Sequence, residues 1–306
     1  MKDTYHICFT SHGEVMFRDQ EDHGMFLNLL ALRCYSHDTL ILADAEMSTH
    51  AHLGALTHAP QAFSADQRMS YTKYFNHKYG RKGRMGEKYT FVLKVDGFVH
   101  MMTLLNYILR NGLHHAAAPT AFGYPYCSVR DLFSKDIGLL TDISVPMSRA
   151  DMATFLPRHA EFPDQYRMNA QGVFVRESFM ELRIAEQYYT SPRNYLYQMN
   201  RLTDESWIKD QEKDHTGRPL TISDIERANE HDIAQMLKNE SGRNYNPSRM
   251  QDLDVCRLID KDILPSYGAS SVYQLSDTQK ERIAHLLQNE FHLPQHQIGR
   301  CLVVPR

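Results

Sequence analysis

The stretch Met47-Ser48-Thr49-His50-Ala51-His52-Leu53-Gly54-Ala55-Leu56-Thr57 decides how the first half of this chain is read. Met47 to Thr49 reads as a turn and His50 to Thr57 as a strand. Side chains alternate along a strand, so Ala51, Leu53 and Ala55 share one face while His50, His52 and Gly54 share the other. Two imidazoles side by side, on the face that Leu53 does not use for packing, are placed to hold one divalent cation between them.

Working outward from that strand, Tyr5 to Thr10 reads as a first strand. Phe26, Leu29, Leu30 and Leu32 fall at helical spacing within Met25 to Tyr35, and Thr39 to Ala45 is a second strand. Beyond the histidines, Ala62 to Tyr79 predicts a helix, Glu87 to Val95 a fourth strand and Gly97 to Asn111 a further helix. On a wheel of that last helix, Phe98, Met101, Met102, Leu105, Ile108 and Leu109 fall on one side, with His100, Thr103, Tyr107 and Asn111 opposite. Tyr107 is therefore expected to face outward, with Asn111 beside it four residues on. The order of elements predicts an α+β fold, an antiparallel sheet with helices packed on it.

A length of 306 residues allows two or three domains, and 42% hydrophobic with 23% charged residues is ordinary soluble composition. No run of about 18 apolar residues is present, and Met1-Lys2-Asp3-Thr4 does not open a signal peptide, so a cytoplasmic protein with no membrane partner is expected. The five cysteines, Cys8, Cys34, Cys127, Cys256 and Cys301, are scattered, which fits reduced thiols in the core and excludes a paired zinc motif.

A net charge of −3 carries no global signal for nucleic acid. Locally the balance differs. Between Lys73 and Lys94 the basic residues Lys73, Lys78, Arg81, Lys82, Arg84, Lys88 and Lys94 face a single acid, Glu87. Tyr71, Tyr74, Phe75, Tyr79, Tyr89 and Phe91 are interleaved with them, a mixture suited to following a phosphate backbone while stacking bases. The alternative is a solvated face over buried rings.

The chain after residue 130 is less readable. Residues 131 to 215 form an expected connector, partly helical, with Ser148 as a helix cap and Phe174 to Tyr189 as a helix. Tyr188, Tyr189, Tyr195 and Tyr197 lie among Arg183, Arg193 and Arg201; packing is favoured over a nucleic-acid groove. The polar segment Lys209 to Pro219 reads as a linker. Residues 216 to 306 are expected to be helical, over Thr221–Asn239 and Met250–Ile263, then from a capping box of Ser276 with Gln279 to about Phe291. Pro294 opens a last short helix. Ile283, Leu286, Leu287, Ile298 and Leu302 would core a unit similar to a DNA-binding helix-turn-helix, with a plain helical bundle as the alternative.

These residues together resemble a known family, the single-tyrosine HUH transposases, and within them the REP-associated tyrosine transposases. The resemblance lies in Tyr5-His6, Met47-Ser48-Thr49-His50-Ala51-His52, Tyr74-Phe75-Asn76-His77-Lys78-Tyr79-Gly80 and Tyr107-Ile108-Leu109-Arg110-Asn111, in that order and spacing. It covers roughly residues 5 to 130, taken here as a 1–130 domain. Two positions depart from the family pattern: Ser48-Thr49 stands where Pro-Asn is usual, and Gly112 where Pro follows the asparagine.

The resemblance implies a ferredoxin-like or RRM-like HUH fold and a transposase that cuts and rejoins single-stranded DNA near hairpins. Its chemistry would use a divalent metal, Mg²⁺ or Mn²⁺, held by His50 and His52. Asn111 is the candidate third ligand, with a helix C-cap before Gly112 as its other reading. Tyr107 would attack the phosphodiester, stay on the 5′ phosphate and release a 3′-hydroxyl. Lys73, Lys78, Arg81, Lys82, Arg84 and Lys88 are the candidate DNA contacts, His6 is expected to be structural or DNA-adjacent, and the protein is expected as a monomer or homodimer. The alternatives are a rolling-circle replication initiator with the same chemistry and a hairpin-binding regulator that does not cut.

Overall fold

The computed structural model describes residues 2–139, 147–200 and 246–304. Strand β1 (Asp3–Thr10) leads through a loop to helix α1 (Gln20–Ser36), whose first turn is capped by the Asp19 side chain accepting from the Asp22 N–H. Strands β2 (Leu40–Met47) and β3 (His50–Thr57) follow, joined by Ser48 and Thr49 alone, then helix α2 (Pro60–Tyr79), strand β4 (Phe91–Lys94) and helix α3 (Phe98–Leu109). The strands form one antiparallel sheet in the order β2-β3-β1-β4. The expected α+β architecture is the observed one, and helices follow it toward the C-terminus.

Strand register sets the two faces of the sheet. His6 lies opposite Gly54, Cys8 opposite His52 and Thr10 opposite His50, so all six share a face. Ile7, Phe9, Ala51 and Leu53 take the other, where Phe9 meets Phe26 of α1 edge to face at 5.7 Å. Helix α3 covers the histidine face. It can come close because Gly54 has no side chain: a Cβ there would already be 3.6 Å from Ile108 and 3.7 Å from Leu104.

Two expectations about α3 are corrected. Met101 through Leu109 are all buried, Tyr107 included, whereas Phe98 is exposed. No side of the helix from Met101 to Leu109 meets solvent, because the sheet and the later segments enclose it from several sides. The helix also breaks at Arg110 before the single turn α4 (Asn111–His114). Gly112 in that turn has a packing reason, since a Cβ would collide with the Tyr124 ring.

The sheet's core does not close at residue 130. Helices α5 (Arg149–Thr154), α6 (Leu182–Tyr189) and α7 (Pro192–Asn200) bring Met152, Tyr189, Tyr195 and Met199 into the same apolar core, and the segment between α5 and α6 adds Phe162 and Phe174. Arg176 forks onto Asp44 of β2 at 2.9 and 2.8 Å, and Glu181 N donates to Ile41 O at 2.9 Å. Ser148 caps α5 as expected, and Tyr189 and Tyr195 are packing residues. The Lys209–Pro219 linker, the Thr221–Asn239 helix and Arg201 lie outside the described residues.

The C-terminal segment carries α8 (Asp252–Arg257), which continues as a wide π turn over Leu258–Ile263, then α9 (Asp277–Phe291) and α10 (Gln295–Leu302). The Ser276–Gln279 capping box is present, and Pro294 sits at the N-cap of α10, one position earlier than expected. Ile283, Leu287, Ile298 and Leu302 form this unit's core together with Val15 from the β1–α1 loop. Buried Arg18 donates to Asp260 at 2.9 and 2.7 Å and to Cys301 O at 2.8 Å, so the unit is docked on the sheet domain. Helix α10 buries Gln297, Ile298, Arg300, Cys301 and Leu302. Helix α10 is thus largely used inside the protein.

Candidate active site

Side-chain alternation on β3 brings His50 and His52 together with ring centroids 4.9 Å apart. Each ring has one nitrogen engaged. His50 Nδ1 meets Thr49 Oγ1 at 3.2 Å, and His52 Nδ1 meets His6 Nε2 at 3.0 Å. The other nitrogen of each, Nε2, is buried without a hydrogen-bond partner. A buried polar atom left bare costs about 1–3 kcal/mol, so two on neighbouring rings call for an explanation.

Helix α3 delivers Tyr107, whose ring centroid is 5.1 Å from that of His52, and the Arg110 break turns Asn111 toward the same place. The Asn111 amide faces the His50 ring closely enough to favour its charged form. Neither amide atom gains a hydrogen bond there. Asn111 is not a helix C-cap: it opens α4, and its carbonyl accepts from His115 N at 3.0 Å.

Burial determines the charge state. It pushes His6 and His50 down to about 3 and lowers His52 and His115 well below the ordinary histidine range. All four are neutral at physiological pH, the form in which imidazole binds a metal. Among the described residues no group of three or more His, Cys, Asp or Glu side chains converges to hold an ion. The bare Nε2 atoms of His50 and His52 have the donor chemistry that a first-row divalent ion takes.

Three further residues lie nearby: His6, expected to be structural or DNA-adjacent, and His114 and His115, which the sequence does not mark. His6 is the ring that orients His52, as a diagonal neighbour across β1 and β3. His115 stands 5.2 Å from His50, and His114 6.0 Å from Tyr107, by ring centroids. The alternation along Tyr5–Thr10 marked the face of His6 only once its register with β3 was known. His114 and His115 follow a helix break that apolar spacing does not announce.

The six basic residues separate into two groups. Lys78 is spent on Asp19, Glu21 and Asp22, and Arg81 on Glu14, so neither is an open cation. Lys73 is exposed on α2, which packs on the other face of the sheet from the histidines. Lys82, Arg84 and Lys88 are exposed on the loop between α2 and β4. Gly86 (φ +70) in that loop lies against the carbonyl of Thr10, the residue in register with His50, which places the loop at the histidine end of β1. Tyr89 beside it is 75% exposed, with Lys88 Nζ 5.1 Å over its ring.

No family model and no curated protein matches this sequence. Among solved structures it is similar to a REP-associated tyrosine transposase bound to a REP hairpin, at 14% identity and a TM-score of 0.36, over 53% of this chain and 93% of that one. No helix among the described residues is long and apolar enough to cross a membrane.

Proposed function

We propose that this chain is a metal-dependent transposase or endonuclease that cuts and rejoins single-stranded DNA near hairpins through a 5′-phosphotyrosine intermediate. The observation that carries the reading is the pair of bare, buried Nε2 atoms of His50 and His52 beside the Tyr107 ring. His50, His52 and the Asn111 amide oxygen would hold the metal. When bound, a divalent ion supplies charge neutralisation at the non-bridging phosphate oxygens.

The rest is the work of the protein's own groups. Thr49 and His6 hold the two imidazoles by their Nδ1 atoms, leaving Nε2 of each for the ion. Tyr107 sits on a helix packed into the core, so its phenol has little freedom to lose when it attacks. Its oxygen forms a bond to phosphorus as the bond to the 3′ oxygen breaks; the phenol gives up its proton and the departing oxygen gains one. The phosphotyrosine keeps the energy of the broken bond, so the freed 3′-hydroxyl can reverse the step and rejoin strands without ATP. Lys82, Arg84 and Lys88 supply exposed positive charge for the phosphate backbone, with Tyr89 available for base stacking.

The test is an end-labelled single-stranded hairpin DNA incubated with the protein and Mn²⁺, with and without chelator. A covalent adduct of the protein with the 5′ phosphate of the downstream fragment is expected, lost with chelator and lost in Tyr107→Phe, while hairpin binding persists in that variant. Cleavage retained by Tyr107→Phe removes the tyrosine from its role, and binding with no cleavage under any condition favours the regulator.

A further inference from the structure

The turn that launches the histidine strand is held from the far end of the chain. Ser48 Oγ donates to Asp252 Oδ2 of α8 at 2.7 Å, across 204 residues of sequence. Asp252 is itself fixed, because its carboxylate accepts Nε and Nη2 of Arg300 at 2.6 and 2.8 Å and Nε2 of Gln297 at 2.9 Å. Asp252, Gln297 and Arg300 are all buried.

The other side of the turn is gripped by the β1–α1 loop. Met16 N and Phe17 N donate to Ser48 O at 2.8 and 3.3 Å, and Ser11 N donates to Thr49 O at 3.0 Å. Val15 N donates in turn to Arg300 O at 3.2 Å, joining that loop to α10. Ser48 and Thr49 are the whole connection between β2 and β3, and Thr49 Oγ1 is the partner of His50 Nδ1. A shift at Ser48 therefore has no slack in which to dissipate before it reaches the His50 ring.

We infer that Asp252, backed by Arg300, is a positioning residue for the histidine pair: the C-terminal helical unit locks the Ser48–Thr49 turn and so sets the placement of His50 beside His52. This rests on the reading of His50 and His52 as metal ligands. The carboxylate already has a two-point partner in Arg300, and what its bond to Ser48 adds is a constraint on the turn. The C-terminal unit thereby becomes part of the site without contributing a ligand.

The experiment uses the full chain and two readouts: Mn²⁺ affinity, followed by electron paramagnetic resonance of the free ion, and hydrogen exchange of residues 47–52. Ser48→Ala removes one hydroxyl and leaves the Asp252–Arg300 and Arg18–Asp260 pairs intact, so the C-terminal unit stays docked. Expected are Mn²⁺ binding weakened about tenfold and faster exchange in the turn, both restored by Ser48→Thr. Asp252→Asn, which keeps the shape and removes the charge, is expected to move both readouts the same way. Wild-type affinity together with wild-type exchange in Ser48→Ala overturns the inference. If the wild type and His50→Ala bind Mn²⁺ equally, the metal reading is what fails; the exchange data then decide the clamp alone, and unchanged exchange overturns it.

Discussion

His6 Nε2 and His52 Nδ1 stand 3.0 Å apart across the β1–β3 pair, one buried imidazole against another. Only one proton can occupy the space between them. If His52 is to offer Nε2 to a metal, it carries its proton on Nδ1 and donates to His6 Nε2, which leaves the His6 proton on Nδ1. His6 thus selects the tautomer of His52 without approaching the metal itself.

Replacing His6 by leucine is expected to lower Mn²⁺ affinity about ten- to a hundredfold, with the fold retained, because apolar volume is kept while the orienting acceptor is removed. A Mn²⁺ titration beside a near-ultraviolet circular dichroism spectrum checks this. Unchanged affinity would make His6 a packing residue.

Acid should weaken the fold through this cluster. His6 and His50, pushed down to about 3 by burial, stay neutral in the native state, whereas the unfolded chain takes up their protons below about 6.5. Their contribution is complete above 6.5 and is lost as pH falls toward 3, at up to about 1.4 kcal/mol per pH unit for each ring. Asp131, pushed up to about 7 by burial, acts with the opposite sign over an overlapping range. Ring proton shifts of His6 and His50 in a nuclear magnetic resonance titration should hold at the neutral value from pH 7 to pH 5. Titration of either near 6.5 in the folded protein would refute the assignment.

The basic residues should divide by phenotype. Lys78→Ala strips buried Asp22 of its cation and is expected to destabilise the protein by about 1–3 kcal/mol, read by urea denaturation. Replacing Lys82, Arg84 and Lys88 together by alanine should leave stability nearly unchanged. It should flatten the salt dependence of single-stranded DNA binding by about 0.7 in log–log slope for each phosphate that is no longer neutralised. A full wild-type slope in the triple variant would move the DNA path elsewhere.

Gly86→Ala is expected to be disproportionately damaging for a loop substitution. Its backbone has φ +70, and the added carbon would fall on the Thr10 carbonyl oxygen. The loop must then leave the end of β1, which should lower the thermal midpoint and weaken hairpin binding together. A melting curve and a binding isotherm on the same preparation test it.

Much of this protein was legible as sequence because the relevant physics is local. Alternation along His50–Thr57 put both histidines on one face, and apolar spacing located α1. The Ser276–Gln279 pair announced the start of α9, since a capping box is made within four residues. The inward turn of Tyr107, the spending of Lys78 and Arg81 on carboxylates, the pairing of His6 with His52 and the hold of Asp252 on Ser48 were decided by tertiary structure alone. Each depends on which distant segment packs against which, and a wheel or a charge count has no access to that. Periodicity says which side of an element a residue takes; only the assembled core says whether that side meets water or protein.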